Sequence, residues 1–221
     1  MRSLSIKYPT LIRQLNLSNK LFILETIRDL DEAIELICDA MTDEEKLDPF
    51  AEDLCPYFGI LWPSSIALAK HLSLHPSLVR NKTVLELGCG LGLPSMVASH
   101  LESDVLATDF HPDVEYYFNR NCRHSVIECS YQRLNWREDA DSLGKFDLVM
   151  GSDVLYEGQH PFELTQSLLR FVKPGGKILL TDPGRTYLQR FMEAMTSEGY
   201  QEELTTLEVE GKEIFIIEYT V

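Results

Sequence analysis

Apolar runs of four to seven residues recur along the chain, and most are followed by a stretch with helical spacing. Val84–Leu87 is β-branched and apolar and breaks at Gly88, as a buried strand does. Val105–Thr108, Ser125 to Ser130, Phe146–Gly151 and Lys177–Asp182 read as the next strands. Glu203–Glu208 and Glu213–Tyr219 read as a closing hairpin turned at Glu210-Gly211. Between them, helices are expected over Ser95–Ala98 and onward, from Asp113 to about Asn121, over Pro161–Phe171 and over Thr186–Ser197. Ser64 or Ser65 would cap a helix through Leu72. Lys173-Pro174-Gly175-Gly176 reads as a turn. Alternation of strand and helix predicts an α/β fold with a mostly parallel sheet.

Ahead of this pattern, Lys20–Ile27 reads as a strand. Asp31–Met41 reads as an amphipathic helix with Ile34, Ile37 and Cys38 on one face, and Thr42–Lys46 as a solvated charge run. Residues 1–50 are therefore expected to form an extension, a lid or simple packing, to a domain over residues 51–221.

Chemistry concentrates at Glu86-Leu87-Gly88-Cys89-Gly90-Leu91-Gly92-Leu93-Pro94. Glycines let the backbone turn tightly and approach a ligand, and proline suits the first turn of a helix. The spacing is G-x-G-x-G, with Leu93 where the dinucleotide fingerprint has its third glycine. No G-x-x-x-x-G-K-[ST] loop is present, which excludes a phosphate-binding P-loop. Asp109, closing the next apolar run, is placed to accept hydrogen bonds from ribose hydroxyls. This loop with its second acid resembles that of the class I, seven-strand S-adenosylmethionine (SAM) methyltransferases.

Composition narrows the partners. A net charge of −15 repels a nucleic-acid backbone, and no basic patch is visible to reverse that. The same charge attracts a cationic protein segment, or merely keeps the chain soluble. Five cysteines in no metal-binding spacing fit reduced thiols in a cytoplasmic protein, and no metal site is expected. No apolar run is long enough to span a membrane, and the N-terminus lacks the pattern of a signal peptide. The oligomeric state is open, with a monomer favoured.

Leu61-Trp62-Pro63-Ser64, the Glu86…Gly92 loop and Asp153-x-x-Tyr156 together resemble the seven-strand protein lysine methyltransferases. His75-Pro76-x-x-Val79-Arg80-x-Lys82 and Asp182-Pro183-Gly184-Arg185 are shared with one branch of that family. The resemblance implies a Rossmann-like class I methyltransferase sheet of seven strands, the last antiparallel, with helices on both faces. It implies that SAM is bound by Trp62, Glu86, Gly88, Cys89, Gly90, Gly92, Asp109, Phe110, Asn135, Trp136 and Ser152, with S-adenosylhomocysteine (SAH) as product. Asp153 and Tyr156 would face the methyl group and the substrate amine. If that segment began a helix, both would share one side. The expected activity is N-methylation of a protein lysine. A small-molecule amine acceptor, or a SAM-binding module without turnover, are the alternatives. Neither post-strand segment reads Asn/Asp-Pro-Pro-Tyr/Phe, which argues against a nucleobase amine.

Overall fold

The structure is a computed structural model that describes residues 6–42, 54–137 and 143–221. The run Asp43–Lys46 lies outside them. A seven-stranded sheet carries the fold. Its strands are β3 (Thr83–Leu87), β4 (Asp104–Asp109), β5 (Ser130–Arg133), β6 (Phe146–Ser152), β7 (Val172–Asp182), β8 (Glu203–Val209) and β9 (Lys212–Thr220). They lie in the order β5-β4-β3-β6-β7-β9-β8. The first five are parallel, and β9 runs antiparallel to both neighbours. Strand order reverses direction between β3 and β6, the point where open α/β sheets bind ligands. One apolar cluster on each side of the sheet buries it; Phe118, Met96 and Leu68 belong to one, Phe171, Phe191 and Tyr219 to the other.

Helices α2 (Pro63–Leu74), α3 (Leu93–His100), α4 (Val114–Ser125), α5 (His160–Phe171) and α6 (Leu188–Ser197) fill the connections. Several boundaries differ from expectation for identifiable reasons. Helix α2 starts on Trp62-Pro63 with no side-chain cap. Ser64 is fully buried inside it, and its carbonyl accepts the Thr181 hydroxyl at 2.8 Å. The 173–176 stretch is the start of β7, held by Val221 N–H donating to the Gly176 carbonyl at 2.9 Å. Residues 153–156 are irregular, and the helix after β6 begins only at His160.

The largest correction concerns residues 125–130. Helix α4 continues to Ser125 and ends on Val126 in the left-handed region; the strand is Ser130–Arg133. Ser125 stays helical because it has a tertiary task. An N-terminal hairpin, β1 (Thr10–Leu17) with β2 (Lys20–Ile27), docks its β2 edge on α4. The Ile23 N–H donates to Ser125 Oγ at 2.9 Å, and the Glu25 N–H to Asn121 Oδ1 at 2.7 Å. Residues 23 and 25 face one way along a strand, and 121 and 125 share one helix face, so the helix completes the strand's open edge. Phe22 and Leu24 are fully buried beneath this contact, each contributing about 1.5–3 kcal/mol. Strand β1 was not anticipated: four of its first five residues are exposed, so it carries no core-facing alternation. Helix α1 (Leu30–Ala40) follows, capped by Asp29, whose side chain accepts the Glu32 N–H. Its buried face is Ala33 and Ile37, and Cys38 is exposed instead of inward-facing.

Asn121 also donates to the Leu91 carbonyl at 3.1 Å, joining the hairpin to the glycine loop. Asn121→Ala is expected to cost about 2–3 kcal/mol of stability, because it leaves the Glu25 N–H buried and unpaired. Denaturant unfolding measures the loss; a change below about 0.5 kcal/mol would remove Asn121 as the tie.

Candidate active site

The carboxyl ends of β3, β4 and β6 lie level, since Leu87 pairs with both Thr108 and Gly151. A cavity of about 470 Å³ opens above them, within the size range of small-molecule sites. Its floor is the loop after β3. Gly88 and Gly90 adopt φ of +67° and +49°, a region that costs other residues energy. A Cβ on Gly88 would lie 2.9 Å from Val154 Cγ1, and one on Gly90 3.0 Å from the Phe58 carbonyl oxygen. Both glycines are therefore required by backbone shape and by close approach. Cys89 lies between them, buried, with burial pushing its thiol well above the usual range. It is a small inert side chain, as its surroundings dictate.

Asp109 ends β4 at one side of the cavity. Its Oδ2 accepts the Gly90 N–H and its Oδ1 the His111 N–H, both at 2.9 Å. Each oxygen keeps a further acceptor direction. Phe110, Asn135 and Trp136 line this side as well. The Phe110 ring carries the Arg133 guanidinium 5.7 Å from its centroid, and its carbonyl accepts Arg133 Nε at 2.9 Å. Trp136 is held by its carbonyl, which accepts the Ser167 hydroxyl, and by an edge contact with His160. Trp62 closes the cavity from the head of α2, its indole N–H donating to the Tyr57 carbonyl at 2.9 Å.

Ser152, Asp153 and Tyr156 line the other side, two strands away from Asp109, or about 10 Å. Tyr156 is half exposed, its ring edge-on to His160 at 4.6 Å. His160 is buried and braces the segment: Nδ1 lies 3.0 Å from the Val154 carbonyl, and Nε2 3.0 Å from an Arg137 nitrogen. The carbonyl requires Nδ1 to donate, so Nε2 accepts from Arg137. Burial lowers the His160 pKa, in keeping with this neutral tautomer.

Two expected ligand residues stand elsewhere. Glu86 is fully buried behind the loop; its Oε2 accepts the Ser95 N–H at 3.0 Å and the Ser95 hydroxyl. It shapes the start of α3 and does not line the cavity. Gly92 also lies outside the cavity, as the left-handed residue before α3, where a Cβ would sit 2.4 Å from the Phe118 ring. Conversely, Tyr57, Phe58, His111, Arg137, His160 and Arg185 line the cavity without having been singled out as ligands. Only Arg185, within Asp182-Pro183-Gly184-Arg185, carried a sequence signal.

Burial pushes the Glu86 carboxyl up to about 8. Its Oε1 has no partner in the structure. The folded state thus keeps a proton that the unfolded chain releases from about 4.5 upward. The contribution of Glu86 is complete below that pH and is lost as the pH rises to about 8. Glu86→Gln keeps the shape and removes the titration. The stability difference, variant minus wild type, is expected to grow across that window by a few kcal/mol. Parallel pH–stability curves would place an ionised Glu86 in the folded protein.

Comparison with known proteins shows the family. A family model described as lysine methyltransferase matches residues 42–198. The electron transfer flavoprotein beta subunit lysine methyltransferase of Xenopus laevis is 32% identical over 67% of this chain and 59% of its own length. Protein N-lysine methyltransferase METTL21A of Xenopus tropicalis is 28% identical over 56% of this chain and 59% of its own. The chain spans 57–59% of the length of the flavoprotein-directed relatives it matches. Among solved structures, magnesium protoporphyrin IX methyltransferase (ChlM) from Synechocystis PCC 6803 with bound SAM superposes with a TM-score of 0.61 at 13% identity. That match covers 82% of this chain and 98% of the other, and supports the fold. With the family match spanning most of the sheet, both loops of the cavity and the Asp153–Tyr156 segment, the chain belongs to the lysine methyltransferase family.

Proposed function

We propose that the protein is a SAM-dependent N-methyltransferase acting on lysine side chains of a protein substrate. One observation supports this most: a single cavity joins the glycine loop and Asp109, on one side, to Asp153 and Tyr156 on the other. The residues fit SAM. Gly88 and Gly90 line the cavity with bare backbone, Asp109 offers acceptors to hydroxyls, and Trp62, Phe110 and Trp136 supply flat apolar walls. When bound, SAM would supply a sulfonium-borne methyl to an amine lone pair, the electrons of the broken S–C bond remaining on sulfur.

The protein's own contribution is orientation and electrostatics. Tyr156 shapes the acceptor side, and its half-exposed ring marks the way in for a long side chain. Asp153 and Ser152 position the amine. The net charge of −15 favours a cationic protein segment over nucleic acid. The N-terminal hairpin, tied through Asn121 to the glycine loop, stiffens the floor of the site. No helix among the described residues is long and apolar enough to cross a membrane; we place the activity in the cytoplasm.

The test is incubation of the protein with methyl-labelled SAM and a cell extract, beside Asp153→Ala. A discrete labelled protein band, absent with the variant and traced to lysine by mass spectrometry, is expected. Label confined to small molecules would replace this reading with a metabolite-amine methyltransferase. SAM binding with no transfer to any acceptor would leave a binding module.

A further inference from the structure

Asp153 is held with unusual firmness. It is a non-glycine residue in the left-handed region, at φ +59°, a conformation that persists only where surroundings over-determine it. Its N–H donates to the Thr181 carbonyl at 2.9 Å. Its side chain is 6% exposed, and Oδ1 receives Arg185 Nε at 2.7 Å and a terminal nitrogen of the same guanidinium at 2.6 Å. Arg185 is itself placed by Asp182 at the end of β7. Asp182 Oδ1 accepts the Gly184 N–H at 2.8 Å and the Arg185 N–H at 2.7 Å. The guanidinium therefore forms part of the cavity wall beside Asp153 and Tyr156.

This pairing bears on a conflict in the chemistry. A lone carboxylate beside the acceptor would hold the incoming lysine as an ammonium. An ammonium has no lone pair to attack with. We propose that Arg185 is a positioning residue that locks Asp153 and offsets its charge, so that the acceptor side of the cavity receives the amine in its neutral form. The proposal rests on the reading of the cavity as an amine methyltransferase site. The amine's proton leaves to water before the new bond forms.

The other polar and charged groups facing this point leave the pair in control. From the loop after β6 come Tyr156 and Glu157, and from α5 comes His160, kept neutral by burial. Arg137 enters from beyond β5 and is paired with Glu157 and Glu163, both at 2.9 Å. Behind Arg185 stands Asp182, 1% exposed, its Oδ2 without a partner and its carboxyl pushed up by burial. Asp109 lies on the far side, across β3.

The test needs no identified acceptor. Sinefungin is an SAH analogue bearing a primary amine, charged at neutral pH, in the region where SAM carries its methyl. Its affinity divided by that of SAH, both by calorimetry at pH 7, reads the charge at the acceptor side. Arg185→Gln is expected to raise this ratio about tenfold and Asp153→Asn to lower it about tenfold. Arg185→Lys, which keeps the charge, should stay near wild type. Arg185→Gln added to Asp153→Asn should again raise the ratio. That double variant lacks the Asp153 carboxylate that Arg185→Gln alone would leave unpaired, so it decides the matter even if Arg185→Gln alone does not fold. A ratio unmoved by Arg185→Gln in both backgrounds would reduce Arg185 to a structural role. Failure of the wild type to bind SAH would instead overturn the SAM-site reading and the inference with it.

Discussion

Replacing Gly90 with arginine is expected to abolish SAM binding, with affinity falling at least about a hundredfold, or about 2.7 kcal/mol. Two separate effects add. Gly90 sits at φ +49°, where a side chain costs about 1–2 kcal/mol of backbone strain. Its Cβ would also lie 3.0 Å from the Phe58 carbonyl oxygen, a backbone atom with little room to yield. The rest of the arginine then occupies the cavity whose floor Gly90 forms. Gly199→Arg is the matched control: φ is +92° and nothing lies within 4 Å of its Cβ, so it carries the strain without the obstruction. Calorimetric titration with SAM checks both, and thermal unfolding confirms that each variant folds. Equal affinity in Gly90→Arg and wild type would remove the cavity floor from the binding site.

Asp153→Ala is expected to keep SAM affinity within several-fold yet lower methyl transfer by about a hundredfold or more. On the proposed reading, ligand binding draws on the glycine loop and Asp109, two strands away. On the same reading, transfer draws on the acceptor side, where the variant removes the proposed orienting group and leaves the Arg185 charge without its 2.7 Å partner. Alanine tolerates φ +59° less well than aspartate, so Asp153→Asn is the cleaner companion, changing charge and little else. Single-turnover methylation of the labelled acceptor, set against SAM titration, separates the two effects. Transfer at the wild-type rate in both variants would take Asp153 out of the chemistry.

These two outcomes divide the proposed site into a binding half and an acceptor half, along the line the sheet draws through it. The binding half is local in sequence: strand β3, the glycine loop and the start of α3 are consecutive, and Asp109 follows at the next strand end. Such features are legible because a strand ending in glycines has few other structural solutions. The acceptor half is assembled from segments far apart. Arg185 reaches Asp153 across 32 residues, because β6 and β7 are parallel neighbours whose ends lie side by side. Nothing in either segment's composition announces that contact. Glu86 and Gly92 illustrate the reverse limit. Both belong to the loop's pattern, yet the fold uses one beneath the loop and the other as the turn into α3.

By itself, the sequence determined the α/β alternation, most strand and helix identities, the closing antiparallel hairpin and the place of the glycine loop between β3 and α3. Hydrophobic period, glycine spacing and proline position act over a few residues and survive without knowledge of neighbours. Tertiary structure alone decided where β5 begins, how the N-terminal hairpin attaches, and which charges meet at the acceptor side. Ser125 looked like the start of a strand until β2 supplied, from 102 residues away, the backbone groups that its hydroxyl serves. A buried polar group takes its role from the partner it must find, and that partner is set by the packing of whole elements.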